Sequence, residues 1–331
     1  MAMTISYADG IRTGFEYLLS NHPEVFVFGQ GLWSPWYVGS SMKDLDKNFG
    51  RDRIIDSPVS EFGVTSSALG ASLCGFRPVV VHPRIDFMIF AMDSLVNQAA
   101  KWQHMFGGQT TAPLTVRAII NRGGEQGAQH SQALHSWFAH IPGLRVVMPA
   151  SAADARDLLI ASVLSDDPVL YIDDRWCYDL TDEVEEPKAV HLDSQGPNVV
   201  KTGTDITLVG AGHSVRLLNE VAEELATDGI SCEVVDLRII NPLRYETIVK
   251  SVEKTKRLLV VDGGWKTCGL GGEIIAGTVE KLPLNLLRSR PARVTLTDAP
   301  APTAAPLEQA YYTTKAQIVE AIQLQLTPQN A

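Results

Sequence analysis

Residues 54–75 read IIDSPVSEFGVTSSALGASLCG. Ile54 and Ile55 close a short apolar strand, Pro58-Val59-Ser60 make a turn, and a run of small residues follows as a helix. Ser60 is the expected N-cap, and Gly63, Gly70, Ala71 and Gly75 let another backbone or a flat ligand come close. Glu61 stands at this strand-to-helix junction. An acid there can be a solvated first-turn residue that complements the helix dipole. It can also be a carboxyl in dry surroundings that keeps its proton until a cationic or hydrogen-bonding partner arrives. No charged residue lies between Phe62 and Phe76. That predicts a helix buried on most sides and favours the second reading.

Working outward, the chain alternates helices with short apolar strands. Helices are expected at 7–20, 87–106 (one long helix) and 152–164. Strands are expected at 25–28, 53–55, 77–81, 114–120, 144–148 and 169–172. Consecutive apolar strands separated by helices imply a parallel sheet covered on both faces, hence three layers. The polar stretch 181–204, TDEVEEPKAVHLDSQGPNVVKTGT, interrupts this pattern. It predicts a first domain at 1–185, a connector at 186–204 and a second domain at 205–331. In the second, strands at 206–209, 232–236, 258–261 and 294–296 alternate with helices, and the extended run APAPTAAP at 299–306 precedes a last helix ending near 324. The fold class is α/β, with two parallel-sheet three-layer domains and no internal repeat.

With 331 residues, 45% of them hydrophobic and 20% charged, there is ample material for two cores. The net charge of -10 argues against nucleic acid or an anionic membrane as the main partner. No window has the pattern of a signal peptide or a membrane span, so a cytosolic protein is expected. Cys74, Cys177, Cys232 and Cys268 form no CxxC pair and are expected as reduced thiols.

Several chemistries find little support. His130, His135 and His140 recur at a step of five, about 140° round a helix, and so share no face. There is no H-E-x-x-H, no Cys/His zinc spacing and no G-x-S-x-G elbow. Gly210-Ala211-Gly212 follows a strand as in a dinucleotide fold, but Val215 stands where the third glycine belongs.

Glu61 read together with its downstream partners is more specific. The stretches DSPVSEFGVTSSALGASLCGFRPVV (56–80), AMDSLVNQAAKW (91–102), FGGQ (106–109), GAQHSQALHSWFAHIPGLRVVMPAS (127–151), DLRIINPL (236–243), VDGGWKTCGLGGEI (261–274) and APLE (305–308) occur in order. Together they resemble the beta subunit of the thiamine-diphosphate-dependent 2-oxo acid dehydrogenase component over nearly the whole chain. The resemblance implies a transketolase-like pyrimidine-binding domain followed by a transketolase C-terminal-type domain. It implies that Glu61 hydrogen-bonds an aminopyrimidine nitrogen of thiamine diphosphate, favouring the tautomer that takes the proton from the thiazolium carbon. Phe87 would lie against the pyrimidine ring. His130 would stand near the thiazolium and the acyl-transfer path, with Gln132 and Trp137 supporting it.

The G-D-G motif followed by N-N, with which the wider enzyme group holds Mg2+ and the diphosphate, is not in this sequence. The resemblance therefore implies half an active site, completed by an alpha subunit that holds both, in an alpha2-beta2 assembly whose beta C-terminal domains can dock a lipoyl acyltransferase core. It also implies a potassium site in some members, which here would use backbone carbonyls at Ser162, Val163, Ser165 and Asp167.

The chain departs from the pattern at His82-Pro83-Arg84-Ile85-Asp86, where an apolar run is usual. Arg84 and Asp86 either recognise a polar or phosphorylated substrate or form ordinary ion pairs. The loop Asn121-Arg122-Gly123-Gly124-Glu125 carries added charges, and the Gly29-Gln30-Gly31 turn lacks the usual acids. The expected reaction is decarboxylation of a 2-oxo acid with acyl transfer to a lipoyl group. The alternatives are a split transketolase or acyloin-forming carboligase with an aldehyde acceptor, and a non-catalytic partner subunit of the same fold.

Overall fold

A computed structural model describes residues 3–327. The chain divides into two compact units: one takes the chain up to Arg122 with Trp137–Gln195, the other takes Gly123–Ser136 and everything from Gly196 onward. The segment Gly123–Ser136, expected inside a first domain at 1–185, thus packs with the second unit.

The first unit contains β1 (Met3–Ser6), α1 (Tyr7–Asn21), β2 (Val25–Gly29), α2 (Leu45–Phe49), β3 (Ile54–Asp56), α3 (Glu61–Ser72) and β4 (Arg77–His82). After these come α4 (Ile85–Met88), α5 (Ala100–Met105), β5 (Thr115–Ile120), α6 (His135–Ala139), which begins in the second unit, β6 (Arg145–Val147), α7 (Ala152–Val163), β7 (Val169–Asp174) and β8 (Thr181–Val184). The parallel strands lie in the order β6-β7-β5-β4-β2-β3. The central strands β4, β5 and β7 are buried on both faces, as unbroken apolar runs such as Val79-Val80-Val81 require. Gly10 of α1 lies so close to α7 that a Cβ there would stand 2.4 Å from the Ala152 carbonyl oxygen, so only glycine permits this crossing.

The expected single helix over 87–106 is instead a succession of windings. Helix α4 passes into a 3-10 turn at Ile89–Ala91, then a π-helix at Asp93–Ala99, then α5. Changes of winding of this kind are common beside functional sites.

The second unit contains β9 (Asn198–Lys201), β10 (Ile206–Gly210), α8 (His213–Ala226), β11 (Cys232–Asp236), β12 (Ile239–Asn241), α9 (Glu246–Thr255), β13 (Leu258–Trp265), α10 (Leu270–Val279), β14 (Ala292–Leu296), α11 (Ala305–Tyr311) and α12 (Lys315–Leu326). Its sheet runs β14-β13-β10-β11-β9, parallel except for the antiparallel edge strand β9. The polar stretch 181–204 is therefore not structureless. It supplies β8, which pairs antiparallel with β1, and β9. Short edge strands need only one apolar face, which leaves little hydrophobic signal.

Candidate active site at the carboxyl edge of the first sheet

In a parallel α/β sheet, ligands collect at the carboxyl ends of the strands. On that edge of the first unit stand Gln30 after β2, Glu61 after β3, Arg84 after β4, Asn121 and Arg122 after β5, and Arg175 after β7.

Glu61 is the first residue of α3. Ser60 occupies the N-cap position but makes no side-chain capping bond; its Oγ would stand 2.8 Å from a Cβ on Gly63. Gln30 Nε2 donates to Glu61 Oε1 at 3.2 Å, and Glu61 Oε2 meets no partner among the described residues. One oxygen is thus held while the other is open to a ligand.

The expected burial of α3 is only half realised. Val64, Thr65, Ala68, Leu69 and Ser72 are buried, but Phe62, Gly63, Ser67 and Gly70 face outward. Glu61 itself is half-buried, Val59 is 79% exposed and Phe62 53%. This chain alone does not make the surroundings of Glu61 dry. An absence of charge marks a covered surface without saying which chain covers it.

Thr65 Oγ1 lies 3.0 Å from His82 Nε2, and both residues are buried. With no countercharge, burial pushes the His82 imidazole down from 6.5 to about 4, so it is neutral near pH 7. Past His82 and Pro83 the chain turns at Arg84, whose carbonyl accepts the amides of Phe87 and Met88 at 3.3 Å each. Arg84 and Phe87 are half-buried and Asp86 is buried, so all three sit in the turn that opens α4.

His130 and Gln132 belong to the segment that packs with the second unit, and both are half-buried. The His130 amide closes a turn onto the Gly127 carbonyl at 3.3 Å. Four contacts tie down this segment. Glu308 accepts the Glu125 amide through both carboxylate oxygens (3.2 and 3.0 Å), and the Glu125 carboxylate accepts the Ala305 amide at the start of α11 (3.2 Å). The Gly123 amide reaches Tyr312 Oη at 3.3 Å, and His135 Nε2 meets Asp262 Oδ1 at 2.8 Å. Sequence reasoning missed the His135–Asp262 pair; Asp262 lies in VDGGWKTCGLGGEI, but nothing local links it to His135. Trp137 is exposed.

Three of the four carbonyls expected around potassium, those of Ser162, Val163 and Ser165, already accept hydrogen bonds. Arg77 Nη1 donates to the carbonyls of Val163 (3.2 Å) and Ser165 (2.7 Å), Arg77 Nη2 reaches Asp166 Oδ1 at 2.5 Å, and the Ser162 carbonyl accepts Thr115 Oγ1 at 3.2 Å. A guanidinium thus satisfies the end of α7, as cations at helix C-termini do. Asp167 is held by Arg145 at 2.6 Å. With a guanidinium on two of these carbonyls, the arrangement does not fit a potassium ion. Among the described residues, no three His, Cys, Asp or Glu side chains gather as a metal site.

Comparison with known proteins agrees with this architecture. Residues 3–175 match the transketolase pyrimidine-binding domain family, and residues 197–318 match the transketolase C-terminal domain family. The chain is 35% identical over 321 residues to the mitochondrial pyruvate dehydrogenase E1 component subunit beta of Dictyostelium discoideum, covering 96% of this chain and 90% of that protein. It is 34% identical over 335 residues to the acetoin:2,6-dichlorophenolindophenol oxidoreductase subunit beta of Cupriavidus necator, covering 97% of each. Among solved structures, a split-gene transketolase described as an inactive beta4 tetramer superposes with a TM-score of 0.78 at 22% identity, over 98% of this chain and 99% of that one.

Proposed function

The chain belongs to the transketolase-type beta-subunit family that includes those of pyruvate dehydrogenase E1 and acetoin oxidoreductase, and from that premise we propose a thiamine-diphosphate-dependent beta subunit that decarboxylates a 2-oxo acid and passes on the acyl unit. The observation that carries this reading is the carboxyl of Glu61 at the mouth of α3, one oxygen held by Gln30 and the other open. That fits the aminopyrimidine end of the cofactor, and the half-buried Phe87 offers a ring to its flat face. When bound, thiamine diphosphate supplies the electron sink for decarboxylation.

This chain's residues do the rest. With the cofactor bound, Glu61 Oε2 would hold or move the proton at the pyrimidine nitrogen while Gln30 holds Oε1. His130 moves protons during acyl transfer, a task suited to imidazole near neutrality, and Gln132 supports it. Arg84 and Asp86 face the substrate's variable part.

The outward side of α3, uncharged and carrying Phe62, favours coverage by a separate alpha subunit, which brings Mg2+ and the diphosphate site in an alpha2-beta2 assembly. The second unit offers the surface for docking a lipoyl acyltransferase core. Among the described residues no helix is long and apolar enough to cross a membrane, and we place the enzyme in the cytosol.

The test is carbon dioxide release from a panel of 2-oxo acids by this chain co-expressed with its alpha partner, with and without cofactor and magnesium. Release that requires both chains, the cofactor and Glu61 supports the reading. Cofactor binding without release from any 2-oxo acid overturns it in favour of a ketose donor and an aldehyde acceptor.

A further inference from the structure

The adjacent strands β4, β5 and β7 each end in a turn that carries an arginine: Arg84, Arg122 and Arg175. The wholly buried Asn121 joins these turns. Its Nδ2 donates to the Pro83 carbonyl at 2.9 Å, and its Oδ1 accepts from Arg175 Nη1 at 3.0 Å. Arg122 is neutralised by Asp174 at 2.9 Å, while Asp173 is spent on Arg117 inside the sheet at 2.8 Å. Asp86 is buried two residues after Arg84.

Arg175 differs from its neighbours. Among the described residues its guanidinium meets only neutral groups: Asn121 Oδ1, the Tyr37 carbonyl at 3.4 Å, and the Tyr178 ring 6.0 Å away. Of the three guanidiniums, Arg122 has Asp174 beside it, while Arg175 meets no carboxylate among the described residues. A half-buried guanidinium without a countercharge, on the ligand-binding edge of a parallel sheet, is built to receive a carboxylate or phosphate. The Arg84 turn is two strand spacings, about 10 Å, from the end of β3 that leads to Glu61. Arg175, reaching back over β5 to Asn121, lies farther along the same edge. Arg175 and Glu61 thus share one ligand-binding edge, four strand spacings, roughly 19 Å, apart by strand order.

We propose that Arg175 determines specificity, and that the substrate is a 2-oxo acid with a second anionic group, carboxylate or phosphate, at its far end. This rests on the 2-oxo acid reading above.

The test uses the assembled enzyme with thiamine diphosphate and magnesium. Rates are compared for pyruvate and 2-oxobutyrate, which have neutral tails, and for 2-oxoglutarate and phosphohydroxypyruvate, which carry a carboxylate and a phosphate. The wild type should prefer one of the last two, and the preferred one identifies the group. Arg175→Gln should raise KM for that substrate by about tenfold or more while leaving pyruvate within about twofold, and Arg175→Lys should restore part of the loss. Without catalysis, succinate or inorganic phosphate should raise the melting temperature of the wild type and not of Arg175→Gln. A wild type that prefers pyruvate, or an equal loss on all four acids, overturns the proposal and makes Arg175 a structural or intersubunit ion-pair partner. If no acid is decarboxylated but the anion still stabilises only the wild type, the anion site stands and the 2-oxo acid reading fails.

Discussion

His135 and Asp262, 127 residues apart in sequence, are buried side by side in the second unit, with Nε2 2.8 Å from Oδ1. Asp262 also accepts the amides of Gly264 (2.9 Å) and Gly271 (3.0 Å), so strand β13, the start of α10 and the segment bearing His130 converge on one carboxylate.

Burial on its own would raise the Asp262 pKa, but His135 and the two amides hold it below the ordinary 3.8. Its stabilisation is therefore complete above pH 3.8 and is lost as pH falls through the lower folded value. Asp262→Asn strips a buried carboxylate of acceptors used by His135, Gly264 and Gly271 and should cost about 1–3 kcal/mol in chemical denaturation. Amide exchange of Gly123–Ser136 should accelerate ahead of the rest of the unit.

His82 gives a second, separable acid response. Its folded value of about 4 lies below the unfolded 6.5, so between those pH values the unfolded chain binds a proton that the folded chain refuses. Stability should fall by about 3 kcal/mol as pH drops from 6.5 to 4, then lose nothing more from this group. Replacing His82 by Gln, which keeps a partner for Thr65, should flatten the denaturation midpoint over that interval.

Glu61→Gln keeps an acceptor for Gln30 Nε2 but cannot exchange a proton. Turnover of the assembled enzyme should fall about 10²–10⁴-fold. Because Glu61 is half-buried and carries no packing load, the unfolding free energy should stay within about 0.5 kcal/mol. Loss of both together would mean that the residue is structural.

Arg77→Ala should cost about 1–3 kcal/mol, since it strips the end of α7 of a guanidinium bonded to two carbonyls. The change should appear in denaturant midpoints of the wild type and the variant at one salt concentration.

Much of this fold was legible in the sequence because apolar strand runs and turn residues are local signals. Every parallel strand of the first sheet lies on a run such as Val25-Phe26-Val27-Phe28, and Glu61 heads its helix as the residue order demanded. What was not legible was long-range. Nothing near Gly123 announces that the following 14 residues pack with the second unit, because the reasons lie at Asp262, Glu308 and Tyr312. The windings between Ile85 and Met105 were hidden because α, 3-10 and π turns draw on the same residue types. Arg175 carries no local signal, since only the positions of Asn121 and Asp174 reveal that it meets no carboxylate among the described residues.

The outward face of α3 bears on how the protein must be made. With Val59 and Phe62 open to water beside a row of small residues, and no charged residue from Phe62 to Phe76, an orphan copy presents an adhesive strip guarded at one end only by Glu61. Synthesis of the two subunits should therefore be matched in amount and time. Surplus beta chains should self-associate or be degraded, and recombinant yield of soluble protein should rise when the alpha chain is supplied from the same message.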